Sequence, residues 1–404
     1  MSGPAPSPAG HERPGTVWEV FWVFLRLGLT SFGGPVAHIA YFREALVERR
    51  RWLTDKAYAD LMALCQFLPG PASSQVGMAL GLQRAGWGGL FAAWFAFTMP
   101  SVLLMVAFAY GVAWAGDLSD AGWIHGLKAA AVAVVAHAVM GMARTMTPDA
   151  PRATIAALAA IIVLLVPSPF VLVAAIAVSG LIGLIWLRPP QEQPSEADTF
   201  PLRVPKRVAI PCLVAFFALL AGLPVLAAAT GNEAASLADT FYRAGALVFG
   251  GGHVVLPLLE TETVQTGMLE PDVFLAGYGA AQAVPGPLFT FSGFLGASAA
   301  GIPGAALAVL AIFLPGGLLV VGCVSFWERL RSNQTARKAL LGFNAGVVGV
   351  LAAAFYTPVF TAGIIDVGIE ALAVAIAAFI ALTSWRVPAW AVVLAAGVLG
   401  AVVL

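Results

Sequence analysis

Charge is the scarcest ingredient of this sequence. Only 10% of its 404 residues are Asp, Glu, Lys or Arg, against about 25% in a soluble globular protein. The 21 acidic and 21 basic residues cancel, so no basic field is offered to a nucleic acid. Cysteine is almost missing. Cys65, Cys212 and Cys323 stand far apart in apolar runs, which excludes a disulfide framework and a thiolate metal site. There is no G-x-x-x-x-G-K-[ST] phosphate loop, nor a polar stretch long enough to house one. Strands of alternating apolar and polar residues are lacking too, which excludes a transmembrane barrel. The start of the chain has neither a basic n-region nor a small-residue cleavage site, so the first apolar run is expected to stay.

Apolar side chain fills the space that charge leaves. Hydrophobic residues make up 60% of the chain, and mean hydropathy is +0.89. Apolar runs fall near 17–42, 57–82, 87–115, 122–145, 152–166 and 169–187. A Pro-rich linker follows, Arg188 to Arg207, and then runs near 208–230, 239–258, 273–299, 303–326, 334–355, 360–383 and 388–404. Most are long enough to cross a bilayer core as a helix, which takes roughly 20 residues. Many of the 43 glycines and 27 prolines lie inside them, as helix packing and broken segments in membranes permit. The pattern predicts an all-α polytopic integral membrane protein.

The two halves repeat. FLRLGLTSFGGP from Phe24 matches FYRAGALVFGGG from Phe241, which pairs Arg26 with Arg243 and Gly33-Gly34 with Gly250-Gly251. CQFLPGP ending at Pro71 matches AQAVPGP ending at Pro287, which pairs Gln66 with Gln282. Gly86 pairs with Gly301 and Pro100 with Pro315. The offset drifts by only two positions along the repeat, so one unit has been duplicated. The boundaries expected are a tail over 1–15, a first repeat over 16–187, a linker over 188–207, a connecting helix over 208–230 and a second repeat over 231–404.

Lys and Arg in short loops orient the chain. Loop 43–56 is basic, so it is expected on the cytoplasmic side, with the N-terminus. Its counterpart in the second half, loop 259–272, has Glu260, Glu262, Glu270 and Asp272 and no Lys or Arg. The repeats are therefore expected to be inverted. Loops 43–56 and 116–121 then lie on opposite sides with two apolar runs between them, so one run does not cross. Pro69-Gly70-Pro71 and Pro285-Gly286-Pro287 mark these runs as broken, because proline removes a helix donor and clashes with the preceding turn. The breaks at Ser31–Pro35 and Gly250–Gly252 look alike. Each repeat is expected to hold two re-entrant hairpins and about four crossing helices; full crossings by kinked helices are the alternative.

The polar residues stranded in these runs carry the chemistry. An arginine at membrane depth is costly and marks a functional site, and its donor fork suits an oxyanion. Arg26 and Arg243 fit that description. Snorkelling, or pairing with Glu19 or Asp239, is the structural alternative. Half-helices that begin inside the membrane aim free N–H groups and a positive dipole end at its centre. Gly33, Gly34, Gly250 and Gly251 let backbone approach a ligand closely. Ser73, Ser74 and Gln75 follow the first Pro-Gly-Pro, and Thr290 and Ser292 the second. Their polar side chains can cap a half-helix or bond an anion. Gln66 and Gln282 add polar groups at membrane depth. His38, His137 and His253 read first as structural residues. Lys128 and Asn344 read as packing or interface groups. Asp55, Asp60 and Glu260 are proton-coupling candidates that sit near loops. Trp52, Trp87 and Trp114 suit an aromatic belt. Nothing calls for a metal or a cofactor.

These motifs resemble the chromate ion transporter family in its long, two-domain form. LRLGLTSFGGPVAHIAYFREALVERRRWL from Leu25 and YADLMALCQFLPGPASSQVGMALG from Tyr58 look like its N-terminal signature. FGGGHVVLPLLE from Phe249 and QAVPGPLFTFSGFLG from Gln282 look like the second copy. The resemblance covers nearly the whole chain. It implies a multi-pass inner-membrane protein that exports chromate, coupled to the proton gradient, and lowers its cytoplasmic level. Sulfate, also a tetrahedral dianion, is the alternative substrate. It carries over Arg26, Ser31, Gly33, Gly34, Gln66, Pro69, Gly70 and Pro71 in the first motif set, and Arg243, Gly250, Gly251, His253, Gln282, Pro285 and Gly286 in the second. The partners expected are the anion, membrane lipid and, in a homodimer, a second copy of the chain. An intramembrane enzyme would need clustered His and carboxylates at depth, which the sequence does not offer; a passive channel would ignore an imposed pH gradient.

Overall fold

The structure, a computed structural model, describes residues 15–115, 121–166, 168–189, 200, 202, 204–249 and 252–404. Gly250, Gly251, most of the linker and most of the N-terminal tail lie outside the described residues. The described residues form helices and no strand.

The first half holds α1 (Val17–Thr30), α2 (Gly34–Phe42), α3 (Asp55–Phe67), α4 (Ala72–Ala115), α5 (Gly122–Met146), α6 (Ala150–Leu165) and α7 (Pro169–Trp186). α8 (Lys206–Thr230) connects to the second half. That half repeats the order, with the short α13 added, in α9 (Glu233–Leu247), α10 (Val255–Thr263), α11 (Pro271–Ala283), α12 (Phe291–Val324), α13 (Trp327–Ser332), α14 (Gln334–Ala354), α15 (Ile369–Thr383) and α16 (Ala389–Val403). Five described stretches are long and apolar enough to span a bilayer: 72–114, 122–146, 206–230, 288–324 and 334–365. The chain is an all-α, multi-pass membrane protein built from a duplicated unit.

Side-chain caps set several of the starts. Thr16 accepts the Glu19 amide at 3.1 Å, Thr54 that of Ala57 at 3.2 Å, and Asn232 those of Ala234 and Ala235 at 2.8 and 3.1 Å. Each satisfies an amide that the first helical turn leaves orphaned.

The longest helix is not one span. At Ala85 (φ −142°) and Gly86 (φ +62°) the backbone of α4 leaves the helical region. α12 does the same at Ala300 (φ −146°) and Gly301 (φ +65°). The chain turns back on itself there. A Cβ on Gly81 would lie 2.2 Å from the carbonyl oxygen of Gly89, and one on Gly296 2.4 Å from that of Gly304. Residues eight apart in a straight helix are about 12 Å apart. α3 and the arm 72–84 are therefore two short helices around Pro69-Gly70-Pro71. Each is about 20 Å long, too short to cross a core of about 30 Å. The second half repeats this arrangement.

α1 lies against the arm 87–115, and α9 against the arm 302–324. Gly28 and Gly245 make those crossings possible: their Cβ atoms would sit 2.7 Å from the Phe97 oxygen and 2.1 Å from the Ile312 oxygen. Small residues at such contacts are how membrane helices approach one another. α8 lies at the edge of the bundle, packed on α9 and α12, with only Ala209 and Phe216 buried. Trp87 and Trp114 are exposed at helix ends, whereas Trp52 is buried. The Arg84 guanidinium sits 5.3 Å above the Trp52 ring, and Arg84 bonds Glu19 at 3.3 Å. Glu19 thus serves Arg84, not Arg26.

Candidate functional site

α1 ends at Ser31, which is fully buried. Gly33 (φ +99°) and Gly34 (φ +77°) then turn the chain through the left-handed region into α2. The helix end leaves the Ser31 carbonyl free for other donors. One is the Gly286 amide, at 2.8 Å. The other is His38 Nε2, at 3.1 Å, from the first turns of α2. A carbonyl only accepts, so Nε2 carries the proton and Nδ1 of neutral His38 is a bare acceptor.

The second half makes the reciprocal contact. There the amide of Gly70 donates to the carbonyl of Val248 at 2.7 Å. Val248 occupies the place of Ser31 in its repeat, and Gly70 that of Gly286. Each Pro-Gly-Pro segment thus docks on the broken first helix of the other repeat. A contact in which i meets j and j meets i is the mark of a two-fold relation, the relation that inverted repeats have. Gly70 (φ +115°) and Gly286 (φ +101°) both need glycine's freedom.

The two crossings have diverged chemically. Around the first stand Ser31, His38, Thr98 and Ser101. The equivalent positions in the second half are Val248, Val255, Phe313 and Gly316. Ser101 donates its hydroxyl to the Pro285 carbonyl. Gly316 cannot do this, and Gln75 instead donates Nε2 to the equivalent Pro69 carbonyl at 2.9 Å.

Several polar atoms in and beside the first crossing are buried with no hydrogen-bond partner among the described residues: Ser31 Oγ, His38 Nδ1, Thr98 Oγ1 and Gln282 Nε2. Near the second are Ser74 Oγ and Gln75 Oε1. A buried unpaired polar group costs about 1–3 kcal/mol. Hydroxyl and amide donors grouped around one break suit the oxygens of an anion.

The matched arginines have unlike surroundings. Arg243 donates Nε to Asp239 at 3.0 Å and both terminal nitrogens to Glu262, at 2.8 and 3.0 Å. Two carboxylates more than neutralise it. The positions equivalent to Asp239 and Glu262 in the first half are Trp22 and Ala45. Arg26 accordingly has no ion pair among the described residues. It lies on the exposed face of α1 with Trp18 and Trp22.

The remaining sequence candidates scatter. Gln66 is exposed at the end of α3, and Pro69 is half-buried. Ser73 is buried. Thr290 turns its hydroxyl onto the Pro287 carbonyl at 2.8 Å. Nδ1 of His253 lies 2.8 Å from the Tyr278 hydroxyl.

Two features escaped sequence reasoning. Thr98 and Ser101 flank Pro100, whose pairing with Pro315 was the available signal. Asp60, which its place near a loop suggested was solvated, is buried. It accepts from Trp327 Nε1 at 2.8 Å, Arg331 Nη1 at 3.0 Å and the Phe200 amide at 3.1 Å. It borders a cavity of about 570 Å³ lined also by Phe200, Leu202 and Val204.

Comparison with known proteins agrees with the duplication. The family model described as Chromate transporter matches the chain twice, over residues 18–184 and 235–401. A chromate transport protein of Pseudomonas aeruginosa is 30% identical over 353 residues, covering 83% of this chain and 79% of that one. A probable chromate transport protein of Synechococcus elongatus is 29% identical over 351 residues, covering 85% of each. An uncharacterized transporter of Methanocaldococcus jannaschii is 26% identical over 369 residues, covering 90% of this chain and 89% of that one. No solved structure matches.

Proposed function

The chain belongs to the chromate transporter family in both of its halves, and from that premise we propose that it exports chromate from the cytoplasm across the inner membrane, coupled to the proton gradient. The observation that carries the reading is the first crossing, where buried donors without partners surround a broken helix. The Gly286 amide is occupied by Ser31, so the anion meets side chains: Ser31 Oγ, Thr98 Oγ1 and Gln282 Nε2. These replace its water. Arg26, unneutralised on α1, draws the dianion toward the site, because a free guanidinium attracts oxyanions over several ångströms. Arg243 holds α9 to α10 and is not available to the anion. The repeats span 16–187 and 231–404, with the linker and N-terminus on the cytoplasmic side, and rock about the crossings to expose the site alternately.

Labelled chromate uptake into inverted vesicles tests this. Arg26→Gln and Thr98→Val should each lower uptake at least tenfold with normal protein levels. Unchanged uptake in both would remove the first crossing from the mechanism. Hydroxyl and amide donors recognise a tetrahedral dianion by charge and shape. Sulfate competition in the same vesicles therefore decides the substrate: preference for sulfate would make the chain a sulfate carrier.

A further inference from the structure

We propose that Glu260 is the side chain that takes up and releases the coupled proton. The proposal rests on the transport reading above and adds a residue to it. Glu260 lies on α10, past the apolar run that ends at 258, and is only 6% exposed. It has no cation. The other two acids of this corner, Asp239 and Glu262, both bind Arg243. α7, which packs on α10, has no charged residue from Pro169 to Trp186. The cations of α14, which also packs on α10, are Arg337 and Lys338 in its first turn. His253, just before α10, faces Tyr278.

The polar partners of Glu260 offset only part of the effect of its burial. Gln265 Nε2 donates to Oε2 at 3.2 Å. Thr261 Oγ1 stands 3.4 Å from the same oxygen, but its hydroxyl proton goes to the Pro257 carbonyl at 2.8 Å. A protonated Oε2 can donate to Thr261 Oγ1; an ionised one faces an acceptor. Burial pushes the Glu260 carboxyl up to about 7, and an unpaired charge in such a place costs several kcal/mol.

α10 follows the second break directly, and Glu262 pins it to α9 through Arg243. Ionising Glu260 favours any position of α10 that hydrates the carboxylate; protonating it favours the position seen here. A ligand that prefers one of two states shifts their populations, and here the ligand is a proton. Its O–H bond forms with a proton taken from water on the side of the acidic loop 259–272, and breaks after α10 moves, releasing that proton to water on the opposite side. No electrons are exchanged.

The full chain in proteoliposomes provides the test, with two readings. Chromate counterflow exchanges anion for anion and needs no net proton. Uptake driven by a pH gradient does, and a pH-sensitive dye reports the proton. Glu260→Gln should lose gradient-driven uptake and proton flux at least tenfold while counterflow continues. Gln265→Leu removes the one good donor to the carboxylate and should move the pH midpoint of driven uptake upward. Proton flux persisting in Glu260→Gln, loss of its counterflow together with driven uptake, or an unmoved midpoint in Gln265→Leu would each overturn the proposal. A wild-type chain without chromate counterflow would instead sink the transport reading itself.

Discussion

The Gly286 amide reaches across the repeat boundary to the Ser31 carbonyl, at 2.8 Å. Gly70 does the same to Val248 at 2.7 Å, yet the two glycines are not equally replaceable. A Cβ on Gly286 would lie 2.2 Å from Ser101 Oγ, whereas one on Gly70 would meet nothing closer than Gln75 Nε2 at 3.2 Å. Both substitutions to Ala pay about 1–2 kcal/mol for the left-handed backbone. Gly286→Ala also displaces the hydroxyl that caps Pro285. The thermal midpoint in detergent should fall further for Gly286→Ala than for Gly70→Ala. Ser101→Gly added to Gly286→Ala should recover part of the difference. Equal midpoints would contradict the asymmetry.

The arginine pair should separate by assay. Arg26 has no carboxylate partner among the described residues, so Arg26→Gln should cut transport and leave the thermal midpoint within about 1 °C, the range of a surface change of a few tenths of a kcal/mol in a chain of this size. Arg243→Gln strands Asp239 and Glu262, whose side chains are 9% and 15% exposed. Breaking a buried pair costs about 3–5 kcal/mol. Arg243→Gln should therefore unfold early, and Asp239→Asn with Glu262→Gln should restore much of its stability. A stable Arg243→Gln without transport would return Arg243 to the anion.

How much of this was legible in the sequence follows from what symmetry can and cannot say. The repeat, the broken helices and their Pro-Gly-Pro motifs were readable because backbone breaks need specific residues, Gly and Pro, at specific places. The same symmetry made Arg26 and Arg243 look like one feature. Their difference lies at Trp22 against Asp239 and Ala45 against Glu262, positions outside the matched motif. The crossing of Ser31 with Gly286 was not readable, because it joins residues of different repeats and no local pattern records it. Asp60 was misplaced for a related reason: its burial comes from Trp327 and the linker, both distant in sequence.

Asp60 ties three elements at one carboxylate. Asp60→Ala would leave the Trp327 indole N–H, the Phe200 amide and Arg331 without their acceptor. Arg331 is 34% exposed and water can solvate it once the pair is broken, so the cost comes mainly from the orphaned indole and amide donors, at about 1–3 kcal/mol each. The chain should lose several degrees in thermal midpoint, and the linker near Phe200 should become more susceptible to protease. Asp60→Asn keeps one acceptor oxygen and should fall between. A wild-type cleavage rate in Asp60→Ala would show that the linker is held elsewhere.

Glu260 also makes a stability prediction, independent of transport. Its ordinary value is 4.5, and burial raises it to about 7. Between those values the folded chain binds a proton that the unfolded chain has lost. Stability falls with rising pH wherever the folded state binds more protons. The contribution of Glu260 is therefore intact below about pH 4.5 and is lost progressively as pH rises toward 7, by at most about 1.4 kcal/mol per unit. Other groups titrate in the same range, so the informative quantity is a difference. The thermal midpoint of wild type minus that of Glu260→Gln, measured in one detergent from pH 5 to 8, should decline across the window and flatten above it. A difference that stays constant, or that grows with pH, would mean that the Glu260 carboxyl is ionised in the folded chain.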